Sequence, residues 1–438
     1  MKNNMEKEAV SLYKQLYKSG YEKGCYNLGL YMEINENYDE AERYYKKSAD
    51  KGHVKSQYRL AYLYDEKNFN EDAIEYYLKA IDSNYTMAKF RLGNLYNRQN
   101  TIESAKLYYD LACNDSMVEA KNNFAGLYFE EKNYEKAIKY YEEAIVDGCK
   151  VALENLGDLY YQTKDYQKAI SYYLRNSTSV SCQKKLADIY MEAENTDEAI
   201  IWYKKASNNE DIESSYKLGL IYEDLNNLED AKKYYLLAAK KNHLNSKLHL
   251  GRIYYNEGNY EESKKMLDVC ANENNAYAQH MVALIYENYY SDHTNAKYWY
   301  EKSKNQGLVE SIFNLGQISL KLEEDELAKK YFKQGVEAGN KDSEYMLAGI
   351  YLKKGRNMYK KLGEEDVFNS KDIYDSIPEF KLNTESFLIP EFKEFEAVKD
   401  EEEEEYIPNY ILQIDENLED MYEARLQKML VETKFGYK

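Results

Sequence analysis

Residues 89–113 read KFRLGNLYNRQNTIESAKLYYDLAC. Two motifs sit side by side in this stretch. The first is Leu92-Gly93-x-Leu95-Tyr96, and the second is Ala105-x-x-Tyr108-Tyr109-x-x-Ala112. Steps of three, four and seven residues bring side chains onto one face of a helix. Each motif therefore marks a helix, termed A and B in chain order. The small residues let two helices approach closely, and the large rings fill the space beside them.

Both motifs recur. The small residue of the A motif stands at Gly29, Ala61, Gly93, Ala125, Gly157, Ala187, Gly219, Gly251, Ala283, Gly316 and Ala348. Successive intervals are 32 residues, except for one of 30 (Gly157 to Ala187) and one of 33 (Ala283 to Gly316). Ten intervals so nearly equal define a repeat protein. The B anchor follows at Ala41, Ala73, Ala105, Ala137, Ala169, Ala199, Ala231, Ser263, Ala296 and Ala328, with a ring pair three and four residues on, as in Tyr44-Tyr45 or Trp202-Tyr203. One repeat carries Met266-Leu267 instead. Ala9, Leu12-Tyr13 and Gly20 keep the B offsets, so a lone B-type helix over 5–20 caps the N-terminal end.

Punctuation agrees with the period. Gly52, Asn84, Gly148, Asn242, Asn274, Gly307 and Gly339 stand where a B helix must end, and both residue types tolerate the left-handed conformation needed there. Asn37, Asn133, Asp165 and Asn259 precede B helices and are suited to cap them. The fold class expected is all-α: a right-handed superhelical solenoid of about eleven two-helix repeats over 1–355, followed by a non-repeat acidic segment over 356–438.

Composition narrows the function. Net charge is −19, which disfavours nucleic acid and anionic membrane as partners. Residues 356–438 hold 22 acidic and 11 basic residues, hence −11 of that total. The same segment holds all three prolines, in Ile377-Pro378-Glu379-Phe380, Ile389-Pro390-Glu391-Phe392 and Ile407-Pro408-Asn409-Tyr410. Leu418, Met421, Tyr422, Leu426 and Met429 mark one face of a terminal amphipathic helix. Five scattered cysteines and no apolar leader point to a cytoplasmic protein with reduced thiols. No catalytic or phosphate-binding motif is present, and no cofactor or metal is implied. His249 and His280 are read as polar lining, and Cys182 and Cys270 as packing residues.

The L-G-x-x-Y and A-x-x-x-aromatic-x-x-A spacings resemble the tetratricopeptide repeat superfamily over about residues 6–355. Trp202-Tyr203 and Trp299-Tyr300, with helix-end glycines followed four residues on by Ser56, Ala152, Ser311 and Ser343, are similar to its SEL-one-like branch. Two departures stand out. The SEL-one-like insertion between helices is absent, and the proline typical of tetratricopeptide repeats is replaced by His53, Tyr85, Cys149, His243 and Leu308. The resemblance implies a non-catalytic adaptor that holds a peptide or protein in a concave groove lined by A helices.

The resemblance also picks out two rows. Three residues before the small A residue stand Tyr26, Tyr58, Phe90, Tyr216, Phe313 and Tyr345, which would face the groove. Two residues before it stand Asn27, Arg59, Arg91, Asn123, Asn155, Lys185, Lys217, His249, Met281, Asn314 and Met346. Nine of these eleven can donate hydrogen bonds, and asparagine both donates and accepts, as a peptide unit requires. The expected function is a protein–protein interaction scaffold. The alternatives are a self-regulated module whose acidic tail fills the groove, and an enzyme or small-molecule sensor with an unrecognised site.

At the usual ~10 Å between packed helices, the repeats should extend about 100 Å along a curved path. Small-angle scattering checks this: an elongated distance distribution is expected, and a compact sphere would refute the repeat reading.

Overall fold

A computed structural model describes residues 2–18 and 21–364. All regular elements among them are helices. The first is α1 (Lys2–Lys18), and helix pairs follow it. The A and B helices of the successive pairs are α2 (Glu22–Ile34) with α3 (Tyr38–Ala49), α4 (Val54–Glu66) with α5 (Asn70–Asp82), and α6 (Thr86–Arg98) with α7 (Ile102–Asn114). Then come α8 (Val118–Glu130) with α9 (Tyr134–Val146), α10 (Lys150–Gln162) with α11 (Tyr166–Arg175), and α12 (Val180–Glu192) with α13 (Thr196–Asn208). The rest are α14 (Ile212–Asp224) with α15 (Leu228–Lys240), α16 (Leu244–Asn256) with α17 (Tyr260–Asn272), α18 (Ala276–Asn288) with α19 (His293–Asn305), and α20 (Val309–Lys321) with α21 (Asp325–Glu337). A last helix, α22, spans Lys341–Glu364 and runs past Gly355, where the periodic sequence stops. The described residues divide into two units that meet within α12, one ending at Ile189 and the other starting at Tyr190. Each is a stack of helix pairs in which sequence neighbours pack on one another, from α1 to α11 in the first unit and from α13 to α22 in the second.

Helix length follows from the punctuation. Most helices have 13 residues, about 20 Å each. Asn37, Asn133, Asp165 and Asn259 cap their B helices as expected, each accepting from the backbone N–H three residues on. Asn195, Asn227 and Asp292 do the same. The seven residues expected to end B helices all have positive φ, from Asn84 at 56° to Gly148 at 94°. The turns from A to B also need a positive φ, and there the chain uses Glu36, Asn68, Asn100, Lys132, Lys164, Glu194, Asn226 and Glu323. The missing prolines find a local explanation in two repeats. His53 Nδ1 accepts from the Ser56 N–H at 3.3 Å, and His243 Nδ1 from the Ser246 N–H at 3.2 Å, so histidine caps the A helix there.

The irregular intervals are local too. The 30-residue repeat has a shortened B helix, the ten-residue α11. In the 33-residue repeat, the turn between α18 and α19 holds four residues in place of three, with Ser291 at φ 53°.

Inside each repeat the small A residue meets the second ring of the B pair. A Cβ placed on Gly157 would lie 2.4 Å from the Tyr173 ring, and one on Gly219 would lie 2.4 Å from the Tyr235 ring. The aromatic face thus lies directly on helix backbone. The B anchors Ala41, Ala73, Ala105, Ala137 and Ala169 are fully buried behind it, as are Ala199, Ala231, Ala296 and Ala328. Gly219→Val should drive two methyl groups into the Tyr235 ring and cost about 2–3 kcal/mol. A lower urea midpoint checks this, and an unchanged midpoint would show that the ring is free to retreat.

Candidate functional site

The A helices carry both rows singled out from the sequence. Tyr58, Phe90, Tyr216 and Phe313 are buried, and they pack between repeats. The Tyr58 ring lies 6.1 Å from Tyr77 and 5.1 Å from Tyr85, and Tyr216 lies 4.5 Å from His243 and 5.8 Å from His249. Phe90 sits 6.2 Å from Tyr109. Tyr26 is half-buried, and Tyr345 in the last helix is exposed.

The donor row is also largely enclosed. Arg59, Arg91, Asn123, Asn155, His249 and Asn314 are buried, while Asn27, Lys185 and Lys217 are half-buried. Met281 and Met346 complete the row with apolar contacts. Most of its donors reach back to the A helix of the preceding repeat. Arg59 pairs with Glu33 at 3.0 Å, and Asn123 Nδ2 donates to Asn94 Oδ1 at 3.0 Å. Asn155 Nδ2 donates to Asn122 Oδ1 at 3.0 Å, and Asn314 Nδ2 lies 3.3 Å from His280 Nε2. Lys185 reaches Glu154 at 2.9 Å and Asp158 at 2.7 Å. His249 Nδ1 lies 2.9 Å from Glu223. Arg91 stacks over the Tyr62 ring at 5.0 Å, and Lys217 stands 5.6 Å from the Tyr203 ring.

These contacts belong to a recurring triplet. A B-helix tyrosine hydroxyl donates to a carboxylate on its own A helix, and the next A helix supplies a cation to that carboxylate. Tyr45 donates to Glu33, which takes Arg59. Tyr77 donates to Asp65 at 3.3 Å, and Asp65 takes Arg98. Tyr173 donates to Asp158 at 2.6 Å, and Asp158 takes Lys185. Tyr235 donates to Glu223 at 2.7 Å, and Glu223 takes His249 and Arg252. Tyr300 donates to Glu287 at 3.1 Å, and Glu287 takes Lys321 at 3.0 Å. A neutral version links Tyr109, Asn94 and Asn123.

The sequence reading missed these carboxylates, yet they left a signal. Glu33, Asp65, Glu223 and Glu287 all lie four residues after the small A residue. In the repeats where Leu267 and Phe332 replace the tyrosine, Tyr255 and Leu320 occupy that position. The hydroxyl and the acid are thus lost together. Tyr109, Tyr141, Tyr173 and Tyr203, whose A helices carry Asn97, Phe129, Tyr161 and Met191 there, fall outside the pattern.

Electrostatics show how tightly the triplets are held. Burial, and then the adjoining carboxylates, push the Tyr45, Tyr77 and Tyr300 hydroxyls well above the ordinary phenol value, so they remain donors. Burial raises Asp65 although Arg98 and Arg91 oppose it. Burial also works against ionisation of Glu154, but Lys185 and the Ser181 hydroxyl outweigh it and hold that carboxyl below its ordinary value.

Among the described residues no cluster of three or more His, Cys, Asp or Glu is placed to hold a metal. His280 bonds Ser311 at 2.7 Å, and His249 lies 2.9 Å from Glu223. Cys182 and Cys270 fill packing slots as expected, with burial pushing both thiols up to about 12. No described helix is long and apolar enough to cross a membrane. The acidic segment's motifs and its expected terminal helix lie outside the described residues.

Stacked helix pairs that share a ring-on-backbone contact define a helical repeat protein. The chain belongs to the tetratricopeptide repeat superfamily. Tetratricopeptide repeat models match residues 58–121, 122–176, 185–208, 212–240, 244–274 and 309–339, and the Sel1 repeat model matches 16–53 and 276–308. This fold commonly serves as a protein-interaction scaffold. No curated protein matches the chain. Among solved structures, it is similar to a protective antigen with an SLR fold from uropathogenic Escherichia coli strains, at 20% identity over 83% of this chain and 85% of that one, with a TM-score of 0.44. A Sel1 repeat protein from Oxalobacter formigenes is 16% identical over 69% of this chain and 88% of its own, with a TM-score of 0.44. Yeast Tom70 is 13% identical over 77% and 97%, with a TM-score of 0.32.

The charge network around Glu154 makes a testable claim. Its folded-state pKa lies below the unfolded value, so its contribution is present above that value and is lost as pH falls through the folded one. Glu154→Gln should cost about 1–3 kcal/mol at neutral pH. The deficit against the parent should shrink as the pH drops below the ordinary glutamate range. Thermal melts across pH check this, and a deficit independent of pH would contradict it.

Proposed function

We propose that the chain is a non-catalytic scaffold that holds an extended peptide or partner protein along its A-helix face. The observation that carries this reading is the triplet of tyrosine, carboxylate and cation. It ties successive A helices together, so the face they form is set before a partner arrives. A surface that need not reorganise loses less free energy on binding.

Within this reading the donor row has two tasks. Arg59, Arg91, Asn123, Asn155, His249 and Asn314 keep the A helices aligned, over the layer of Tyr58, Phe90 and Tyr216. Asn27, Lys185 and Lys217 retain enough exposure to meet a partner directly. The partner class is protein or peptide. Free cysteines, three of them buried, suit a reducing, cytoplasmic setting.

Replacing the buried donors would disturb the repeats as well as any binding, so the test should leave them intact. A photo-crosslinking amino acid at Asn27 should trap a protein partner. Placed at exposed Leu107 or Ile201 on B helices, it should trap none. Trapping from the B positions alone would overturn the proposal.

A further inference from the structure

The longer turn between α18 and α19 changes the surface as well as the period. In six repeats a polar residue closes the A helix, namely Asn35, Lys67, Gln99, Glu131, Thr163 or Glu257. After α18 that residue is Tyr289, and Tyr290 follows it. Tyr289 is 49% exposed and Tyr290 is 39% exposed. Three residues close the other turns from A to B, so folding alone does not call for this pair of rings.

The two rings extend a cluster that spans two repeats. Tyr255 on α16 lies 5.4 Å from Tyr260 on α17, and Tyr260 lies 5.2 Å from Tyr289. Tyr289 meets Tyr290 edge to face at 4.9 Å, and Tyr290 lies 5.6 Å from Tyr286 on α18. Five phenol rings thus form one continuous patch along the A-to-B turns.

One ring of the patch already holds a cation. Lys264 Nζ sits 4.9 Å from the centre of the Tyr286 ring, and Asp268 fixes it at 2.6 Å. A cation over a ring face is attracted by the π-system, and the carboxylate beside it holds it there. The exposed rings have carboxylates beside them too. Glu261 stands against the Tyr290 hydroxyl, and partial burial followed by that contact raises the phenol. Asp292 closes the same turn, and the Asn295 backbone N–H holds its carboxyl below the ordinary value. The lysines between Tyr255 and Asp292 are Lys264 and Lys265, and Lys265 is engaged by Glu262 at 3.6 Å. Tyr289 and Tyr290 therefore present ring faces beside negative charge.

We propose that the patch around Tyr289 and Tyr290 docks a protein segment carrying arginine or lysine side chains. The partner's cations lie over these rings and meet Glu261 and Asp292, as Lys264 lies over Tyr286 and meets Asp268. Tyrosine and arginine are the side chains that most often anchor an interface. A second copy of this chain does not fit as the occupant, because patch on patch would set Glu261 and Asp292 against like charge. This surface lies along the turns rather than on the A-helix face, and it stands whether or not that face holds a peptide.

The probe is octa-arginine with a diazirine at its centre. It is irradiated with the full chain at physiological salt, and the crosslinks are mapped by mass spectrometry. They should fall within residues 254–262 and 286–293. Tyr289→Ala with Tyr290→Ala leaves every charge in place and should reduce them by at least about fivefold. Glu261→Gln with Asp292→Asn should also reduce them. Asparagine keeps the cap on α19, as Asn37 and Asn259 cap other B helices, so this second variant carries the test if the first lowers the melting temperature. Octa-glutamate and octa-proline with the same diazirine should label these segments far less. Crosslinks confined to other parts of the chain, or unchanged in both variants, would overturn the proposal. Labelling by octa-proline or octa-glutamate equal to that by octa-arginine would overturn the cationic partner.

Discussion

A tyrosine ring packed against the small residue of a neighbouring helix, close to its backbone, is the contact on which the rest of this structure depends. It demands glycine or alanine on helix A, and it fixes the distance between the two helices of a repeat. It also brings the phenol hydroxyl to helix A one turn on from the small residue, at Glu33, Asp65, Glu223 and Glu287. A hydroxyl delivered into a dry interior needs an acceptor, because an unpaired buried polar group is costly. Five repeats answer with a carboxylate, and the carboxylate in turn needs a cation. The nearest source is the following A helix. An apolar packing rule inside one repeat thereby generates a polar link between two.

That chain of demands accounts for what the sequence disclosed and what it withheld. The period, the small residues and the rings were legible because they obey helical spacing within one helix. The ends of B helices were legible where Gly or Asn marks them. The turns from A to B were not, since Glu36, Lys132, Lys164, Glu194 and Glu323 adopt a positive φ without any compositional sign. The donor row was visible as a row, but its use was not. Arg59 and His249 look like surface donors in an acidic chain. Their acceptors, Glu33 and Glu223, are about 26 residues away in sequence and meet them only when repeats stack. Pairings of that range are set by tertiary packing. The one trace of them in the sequence is the joint loss of acid and hydroxyl at Leu267 and Phe332.

Histidine shows the same principle at smaller scale. Where relatives of this fold use proline to open an A helix, His53 and His243 instead accept a backbone hydrogen bond from Ser56 and Ser246. Proline would preset the backbone angle but forfeit the N–H that His53 and His243 donate to the Ser48 and Ala238 carbonyls. Histidine keeps that bond and also presents Nδ1 to the N–H of Ser56 or Ser246. Both define a helix start, and only the second depends on a residue three positions on.

The uneven distribution of the polar links has a mechanical meaning. Around Glu223, where Tyr235, His249 and Arg252 converge, neighbouring helices are held by directional bonds that break if either helix slides. Around Leu267 the corresponding contact is made by Tyr255, Tyr277 and Met281, whose attraction varies little with small shifts. Repeats within one stack are therefore not mechanically alike: a joint where a tyrosine meets an acid resists sliding more than one where a hydrocarbon takes its place.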